Sequence, residues 1–306
     1  MMTTIRLAVP RKGRPLEAVL DQIATRAGIE DVADEVASTL RYEKAVTKGT
    51  QSPELSVYER LAAYSDASNP YAPEYTILRD SRQGMPRRIV FDSLEVEWGG
   101  VDLHLVGREE PFRALRKHEF ALGFDSADLV LEEVVSFSPE PLSNLAELND
   151  RIDPRDTDVR VAGGLGDRVH HTLLSHPNVT ENPTREFLED YEGPLCISPR
   201  YERLVEAVLG TDTTEGIEFR YTSSTEPDTE STAVGSDKEE AAIAAVGIGV
   251  YLTVTGGTAR EHGLRVGEQL FPSETVLLEN AAEGSTLTTR FSRELVDGKL
   301  ATPELS

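Results

Sequence analysis

Several common ingredients are scarce in this 306-residue chain, and each shortage excludes something. It has one cysteine, Cys196, which rules out an internal disulfide framework and any zinc site built on cysteines. The setting Pro-Leu-Cys-Ile-Ser is apolar and strand-like, so Cys196 reads as a buried structural thiol. No apolar run approaches the roughly 18 residues of a membrane helix, and the N-terminus has no apolar signal core. The expectation is a soluble, cytoplasmic protein with no membrane partner. Basic residues are also short, 31 against 54 acidic, for a formal net charge of −23. Bare duplex nucleic acid is therefore not an expected partner without a local basic patch. Acid spread along the whole chain, with few lysines, suggests a protein kept soluble at very high salt, hence a halophilic source. Histidine is sparse too, with six residues. His170, His171 and His176 lack the i, i+4 spacing and the placed carboxylate of a metal site.

What is present is the material of an α/β protein. At 39% hydrophobic and 28% charged residues, the chain has enough for one large or two modest domains. Residues 4–9 form a short strand, and Pro10-Arg11-Lys12-Gly13-Arg14-Pro15 a turn. A helix follows, with Leu16, Val19, Leu20, Ile23 and Ala27 at helical spacing and Gly28 at its end. Three cations beside a helix start conflict with its dipole, which prefers anions there; a bound anion or plain solvated surface charge would each resolve this. Residues 30–75 are acidic and weakly periodic and read as a long loop. Arg79, Arg82, Arg87 and Arg88 crowd ten residues, either as an anion site or as exposed arginines. Residues 149–193 read as a charge-rich insertion. Leu195–Ile197 is a strand, and Ser198-Pro199 starts a helix that Gly210 closes. Glycine-bounded strands alternating with helices indicate mostly parallel sheets.

The chain is organised around residues 243–260, where an apolar run through Tyr251 and Leu252 turns at Thr253, Thr255, Gly256, Gly257 and Thr258 into a helical pattern near Ala259. Such a loop suits phosphate: glycines let the backbone approach, threonines donate, and a helix start offers unpaired N–H groups. An ordinary strand-to-helix connection explains the same residues, because threonine and glycine are common turn formers.

Four collinear segments resemble the ATP phosphoribosyltransferase family of histidine biosynthesis. Ala8-Val-Pro10-Arg-Lys12-Gly13-Arg14 is similar to its Pro-Lys-Gly-Arg turn. Gly100-Val-Asp102-Leu-His-Leu-Val-Gly107 resembles its Gly-Ala-Asp-Leu-Gly-Ile-Thr-Gly strand. Residues 197–226, ending in Ser223-Ser224-Thr225-Glu226, resemble the region of its Gly-Ser-Val-Glu turn. Thr255-Gly256-Gly257-Thr258-Ala259-Arg260-Glu-His-Gly263-Leu264 resembles its phosphate loop, Thr-Gly-x-Thr-Leu-Arg-x-Asn-Gly-Leu.

The resemblance implies a two-lobed fold like type II periplasmic binding proteins. Phosphoribosyl pyrophosphate would be held by its 5′-phosphate in the loop of Thr253, Thr255, Gly256, Gly257 and Thr258, with Glu226 beside it. Lys12 and Arg14 would face the pyrophosphate or the phosphates of ATP. Magnesium would bridge the pyrophosphate as adenine N1 attacks the anomeric carbon. A homo-oligomer is among the assemblies it allows, and a regulatory C-terminal domain is not expected. The division it suggests puts 1–98 and 195–285 in one lobe, 99–194 in the other and 286–306 in a tail. The chain also departs from the family. Acidic positions near the phosphate loop read Gly247, Tyr251 and Val254, and the Asp-Ile-Pro element reads Gly84-Met85-Pro86. Loss of one charge-assisted hydrogen bond at the reacting sugar costs roughly 3 kcal/mol, or about a hundredfold in rate. A non-catalytic sensor or companion subunit is the alternative to an active transferase.

Overall fold

Residues 4–66, 68–69, 71–78, 88–222 and 237–296 are described by the computed structural model. The chain opens with β1 (Thr4–Pro10), α1 (Gly13–Ala27), α2 (Glu30–Thr47), α3 (Val57–Tyr64), β2 (Glu74–Leu78), β3 (Arg88–Trp98) and β4 (Val101–Arg108). It continues with α4 (Pro111–Arg116), β5 (Leu122–Ser126), α5 (Ala127–Val134), β6 (Val159–Gly164), β7 (Val169–Ser175), α6 (Arg185–Glu189) and β8 (Pro194–Ile197). It closes with α7 (Glu202–Leu209), α8 (Thr211–Thr214), β9 (Glu218–Tyr221), α9 (Asp237–Val246), β10 (Ile248–Thr253), α10 (Gly257–Glu261), β11 (Arg265–Ser273), β12 (Thr275–Asn280) and α11 (Thr286–Val296).

These elements form two compact units. Among the described residues the first comprises those within 4–125, 158–167 and 275–296, the second those within 126–157 and 168–274. Among the described residues the first unit holds a seven-stranded sheet in the order β2-β3-β4-β1-β5-β12-β6, and the second a five-stranded sheet in the order β11-β7-β10-β8-β9. Both are mixed rather than mostly parallel. β1 runs parallel to β4 and β5, whereas β3 runs antiparallel to β4 and β12 to β6. In the second sheet β7 runs antiparallel to both neighbours, and β8 parallel to β9 and β10.

With the β2–β3 hairpin set aside, the sheets share one topology. Taken within each unit, the order is second strand, first, third, the strand on which the chain enters from the other unit, then fourth. This duplicated order is that of an α/β protein of the type II periplasmic-binding-protein-like class.

The division differs from the expected one because β4 pairs with β1 over seven residues, which puts 99–125 in the first unit. β10 pairs with β7 and β8, which puts the 253–258 loop in the second. Residues 149–193 are no insertion, since they supply β6 to one sheet and β7 to the other. Nor are residues 286–306 all tail: α11 buries Phe291 and Leu295 in the first core.

α1 forms as its spacing predicts, burying Leu16, Val19, Leu20 and Ile23 at 0–1% exposure, each worth roughly 1.5–3 kcal/mol. α2 and α3 occupy the stretch expected to be a loop. Ala33, Val36 and Leu40 line the buried face of α2, but the next position on that face is Glu43, which breaks the apolar pattern. Arg60 of α3 answers the charge with two bonds, of 2.7 and 2.9 Å. α3 starts at a capping box, in which Ser56 and Glu59 each accept from the other's backbone N–H,.

Candidate functional site

One candidate anion site grows from the end of β1. Leu7, Ala8 and Val9 are fully buried, and the chain then turns outward. Lys12 is the extended N-cap of α1, with no side-chain cap and no acid in the first turn. Gly13 has φ +79°, a conformation that costs other residues and not glycine. The first N–H groups of α1 thus reach outward without a capping side chain.

Around them lies a cavity of ≈ 610 Å³. Lys12 and Arg14 line it from the β1–α1 turn, Arg41 and Lys44 from α2, and Arg88 from β3. Glu17 is the one carboxylate among the described lining residues, and Leu40, Ile89 and Val90 give an apolar wall. The lining holds five cations and one acid, although Lys12 and Arg14 also pair with Glu109 and Asp167, which are not among the lining residues.

These side chains are positioned. Lys12 Nζ donates to Glu109 at 3.3 Å. Arg14 donates to the carbonyl of Asp167 and, at 2.7 Å, to its carboxylate. Asp167 is itself held by the backbone N–H and hydroxyl of Thr275, at 2.8 and 2.7 Å. Arg41 donates to Glu17 at 2.5 Å. Arg11, the third cation of the turn, serves the fold: it donates to the Gly107 carbonyl and to Asp92.

Another candidate anion site lies in the second unit, after β10. Thr253 is buried, its hydroxyl 2.7 Å from that of Thr172 on β7, so it braces the sheet. Gly256 has φ +68°, and a Cβ there would stand 2.6 Å from the Val266 side chain, so the fold itself requires glycine. Thr255 and Gly257 are exposed and Thr258 half-buried. Among the described residues, no hydrogen bond accepts from the N–H groups of Gly256, Gly257 and Thr258. α10 spans only Gly257–Glu261, too short for much dipole. What the loop offers an anion is these N–H groups.

Tyr251 is half-buried on β10. Burial and a hydrogen bond to Glu239 of α9 push its hydroxyl far above the ordinary tyrosine range, so it stays neutral. Glu226 and residues 79–87 lie outside the described residues. Lys12 and Arg14 belong to one unit, and Thr253, Thr255, Gly256, Gly257 and Thr258 to the other.

The sequence reading missed Arg41 and Lys44, although the spacing of Ala33, Val36 and Leu40 and the Ser56–Glu59 pair signal α2 and α3. It also missed a buried polar cluster in the second unit. His171 Nε2 lies 3.2 Å from Asp128 Oδ1, without the angle of a hydrogen bond. Asp128 accepts from Ser273 at 3.0 Å, and Tyr201 meets the His171 ring edge-on at 4.8 Å. Nearby, burial pushes the Glu132 carboxyl up to about 7, against the opposing effect of the Leu204 N–H and Arg203. His170 and His171 alternate across β7, and His176 Nδ1 accepts from the Asn178 N–H in the following turn. Among the described residues no three of His, Cys, Asp and Glu converge as a metal site would need.

The family model described as halobacterial ATP phosphoribosyltransferase matches residues 1–304. No curated protein matches the chain. Among solved structures, the ATP phosphoribosyl transferase (HisG:HisZ) complex from Thermotoga maritima is similar at 15% identity and a TM-score of 0.42, covering 96% of this chain and 100% of that one. An ABC transporter from Parabacteroides distasonis is similar at 11% identity and a TM-score of 0.36, covering 97% and 72%. An ancestral arginine-binding protein bound to arginine is similar at 8% identity and a TM-score of 0.36, covering 65% and 74%.

Proposed function

Since this chain belongs to the halobacterial ATP phosphoribosyltransferase family, we propose that it transfers the phosphoribosyl group of phosphoribosyl pyrophosphate to N1 of ATP, the first step of histidine biosynthesis. The observation that carries this is the concentration of cations around Lys12 and Arg14 at the uncapped start of α1. In the reaction N1 of adenine forms a bond to the anomeric carbon as the bond from that carbon to pyrophosphate breaks. Negative charge grows on the departing pyrophosphate, and Lys12 and Arg14 lower the barrier by meeting it with fixed positive charge. Asp167 and Glu109 set where those two cations sit. The loop after β10 offers a phosphate group the N–H groups of Gly256, Gly257 and Thr258 and the exposed hydroxyl of Thr255.

The magnesium implied by the resemblance finds no protein-built site among the described residues, and no step above depends on it. Substrates of this class fit a cytoplasmic protein. Among the described residues no helix is long and apolar enough to cross a membrane. The charge of −23 fits a working medium of very high salt, where counterions screen the mutual repulsion of surface carboxylates.

One observation favours a second reading, a non-catalytic companion or sensor. At the position of the family's acid stands a neutral tyrosine tied to Glu239, so the sugar hydroxyls lose a charged acceptor. The deciding experiment incubates purified protein with ATP, phosphoribosyl pyrophosphate and magnesium in molar KCl and follows phosphoribosyl-ATP. Turnover that falls at least tenfold in Lys12→Met supports the transferase. No turnover from folded protein that still binds the donor in calorimetry supports the companion.

A further inference from the structure

Among the described residues, His118 is the one residue other than glycine with a positive φ, +59°. It ends α4: its N–H donates to the Leu115 carbonyl at 2.9 Å, and the Glu119 N–H donates to the Ala114 carbonyl at 3.1 Å. This pair of bonds closes a helix through a left-handed residue, a position that favours glycine because a Cβ is strained there. A histidine held in such a conformation points to a role for its ring.

The ring nitrogen Nδ1 has two neighbours of opposite kind. Glu283 Oε1, in the turn between β12 and α11, lies 3.1 Å away, and Asn280 Nδ2, at the end of β12, lies 3.3 Å away. Backbone partners fix which way the Asn280 amide points, since its Nδ2 donates to the Leu115 carbonyl at 2.8 Å and its Oδ1 accepts the Ala282 N–H at 2.9 Å. The second N–H of that amide is therefore the one that faces Nδ1. A carboxylate only accepts and an amide nitrogen only donates. Nδ1 thus bonds Glu283 when it carries a proton and Asn280 when it does not, never both. Asn280 is 1% exposed, so an unmade bond there is costly. The Glu283 side chain is 43% exposed, so its carboxylate can turn to water instead.

The charges on the surrounding elements have other engagements or none with this ring. Arg113 pairs with Glu110, Arg116 lies over the Phe112 ring, and Glu119 faces Arg108 of β4 at 3.8 Å. Arg6 of β1 lies over Phe120, and Arg160 of β6 donates to the Val159 carbonyl. Lys117 and Glu279, the neighbours in sequence of His118 and Asn280, form no ion pair with the imidazole. Among the described residues Glu283 is the one ionic partner of His118. We infer that His118 is a latch worked by a proton. In the neutral ring Nδ1 accepts from Asn280 and Glu283 is released to solvent. In the charged ring Nδ1–H donates to Glu283 and ties the end of α4 to the turn that leads into α11. Imidazole suits this role as the side chain that ordinarily changes charge near neutrality. The latch holds at low pH and opens as pH rises.

The test is nitrogen NMR of the imidazole rings of the whole protein in molar KCl, between about pH 5 and pH 9. His118→Gly suits the left-handed backbone, so it keeps the fold and identifies the His118 signals by their loss. In the neutral ring the proton is expected on Nε2. A neutral ring with its proton on Nδ1 stays with Glu283 throughout and overturns the inference. A second readout is exchange of the Glu283 and Ser285 amides, which are hydrogen-bonded within the turn. Divided by the intrinsic rates, it is expected to be about 1.5- to fivefold slower with the charged ring than with the neutral one. Glu283→Gln and His118→Gly each abolish that difference, and a urea midpoint no lower than that of the native protein shows that they are folded. A difference that survives in either variant, or its absence from the native protein, overturns the inference as well.

Discussion

Replacing Arg60 by methionine tests how α2 is held in place. Arg60 and Glu43 keep only 8% and 2% of their side-chain surface exposed. The guanidinium donates to both carboxylate oxygens, at 2.7 and 2.9 Å, and to the Leu55 carbonyl at 2.8 Å. Tyr64 donates to the same carboxylate at 3.0 Å. Methionine keeps the length and apolar stem but removes every one of the arginine donors, leaving a buried carboxylate with a single phenol. Breaking one side of a buried pair costs about 3–5 kcal/mol. At roughly 2–4 °C per kcal/mol for a domain of this size, Tm falls by roughly 6–20 °C. Glu43→Met/Arg60→Met, which buries no charge, is expected to lie within about 2 kcal/mol of the native protein. The assay is urea unfolding in molar KCl followed by tryptophan fluorescence. Trp98, the chain's one tryptophan, packs on Phe291 in the same unit, with ring centroids 5.4 Å apart, and so reports on the right core. A cost below about 1 kcal/mol for Arg60→Met, or a double variant weaker than the sum of the singles, refutes the account.

Three further outcomes follow from the second unit. Gly256→Ala loses roughly 1–3 kcal/mol from its left-handed backbone and the contact with Val266,; adding Val266→Ala returns part of this in urea unfolding. Glu132 titrates at about 7 in the fold, above its ordinary value near 4.3. The folded state therefore binds its proton more tightly, and the stabilisation present at low pH is lost as pH rises through about 7. Glu132→Gln is expected to flatten the stability profile between about pH 5 and 7 and to be about 2–3 kcal/mol more stable than the native protein at pH 8. Burial pushes the Cys196 thiol up to about 11, so thiol reagents modify it only as fast as the unit opens, and Cys196→Ser leaves turnover intact; prompt labelling of native protein contradicts this.

Local patterns in the chain were enough for α1, whose apolar period and closing Gly28 need no partner to be read, and for the buried state of Cys196. The turn at Lys12 and Arg14 and the loop at Gly256 and Gly257 were also legible, since special backbone and charge against a helix dipole leave local traces. The role of Thr253 was not legible, because its hydroxyl is claimed by Thr172, far away in sequence. α2 was hidden because its buried face ends in Glu43, a residue that becomes reasonable only when Arg60 arrives from another helix. The same holds for the cavity: Arg41, Lys44 and Arg88 are ordinary surface cations in the sequence, and only the packing of α2 and β3 beside the β1–α1 turn makes them one site. Strand pairing decided which unit each segment joins, because hydrogen bonds between β1 and β4, or β10 and β7, depend on partners that no local pattern names.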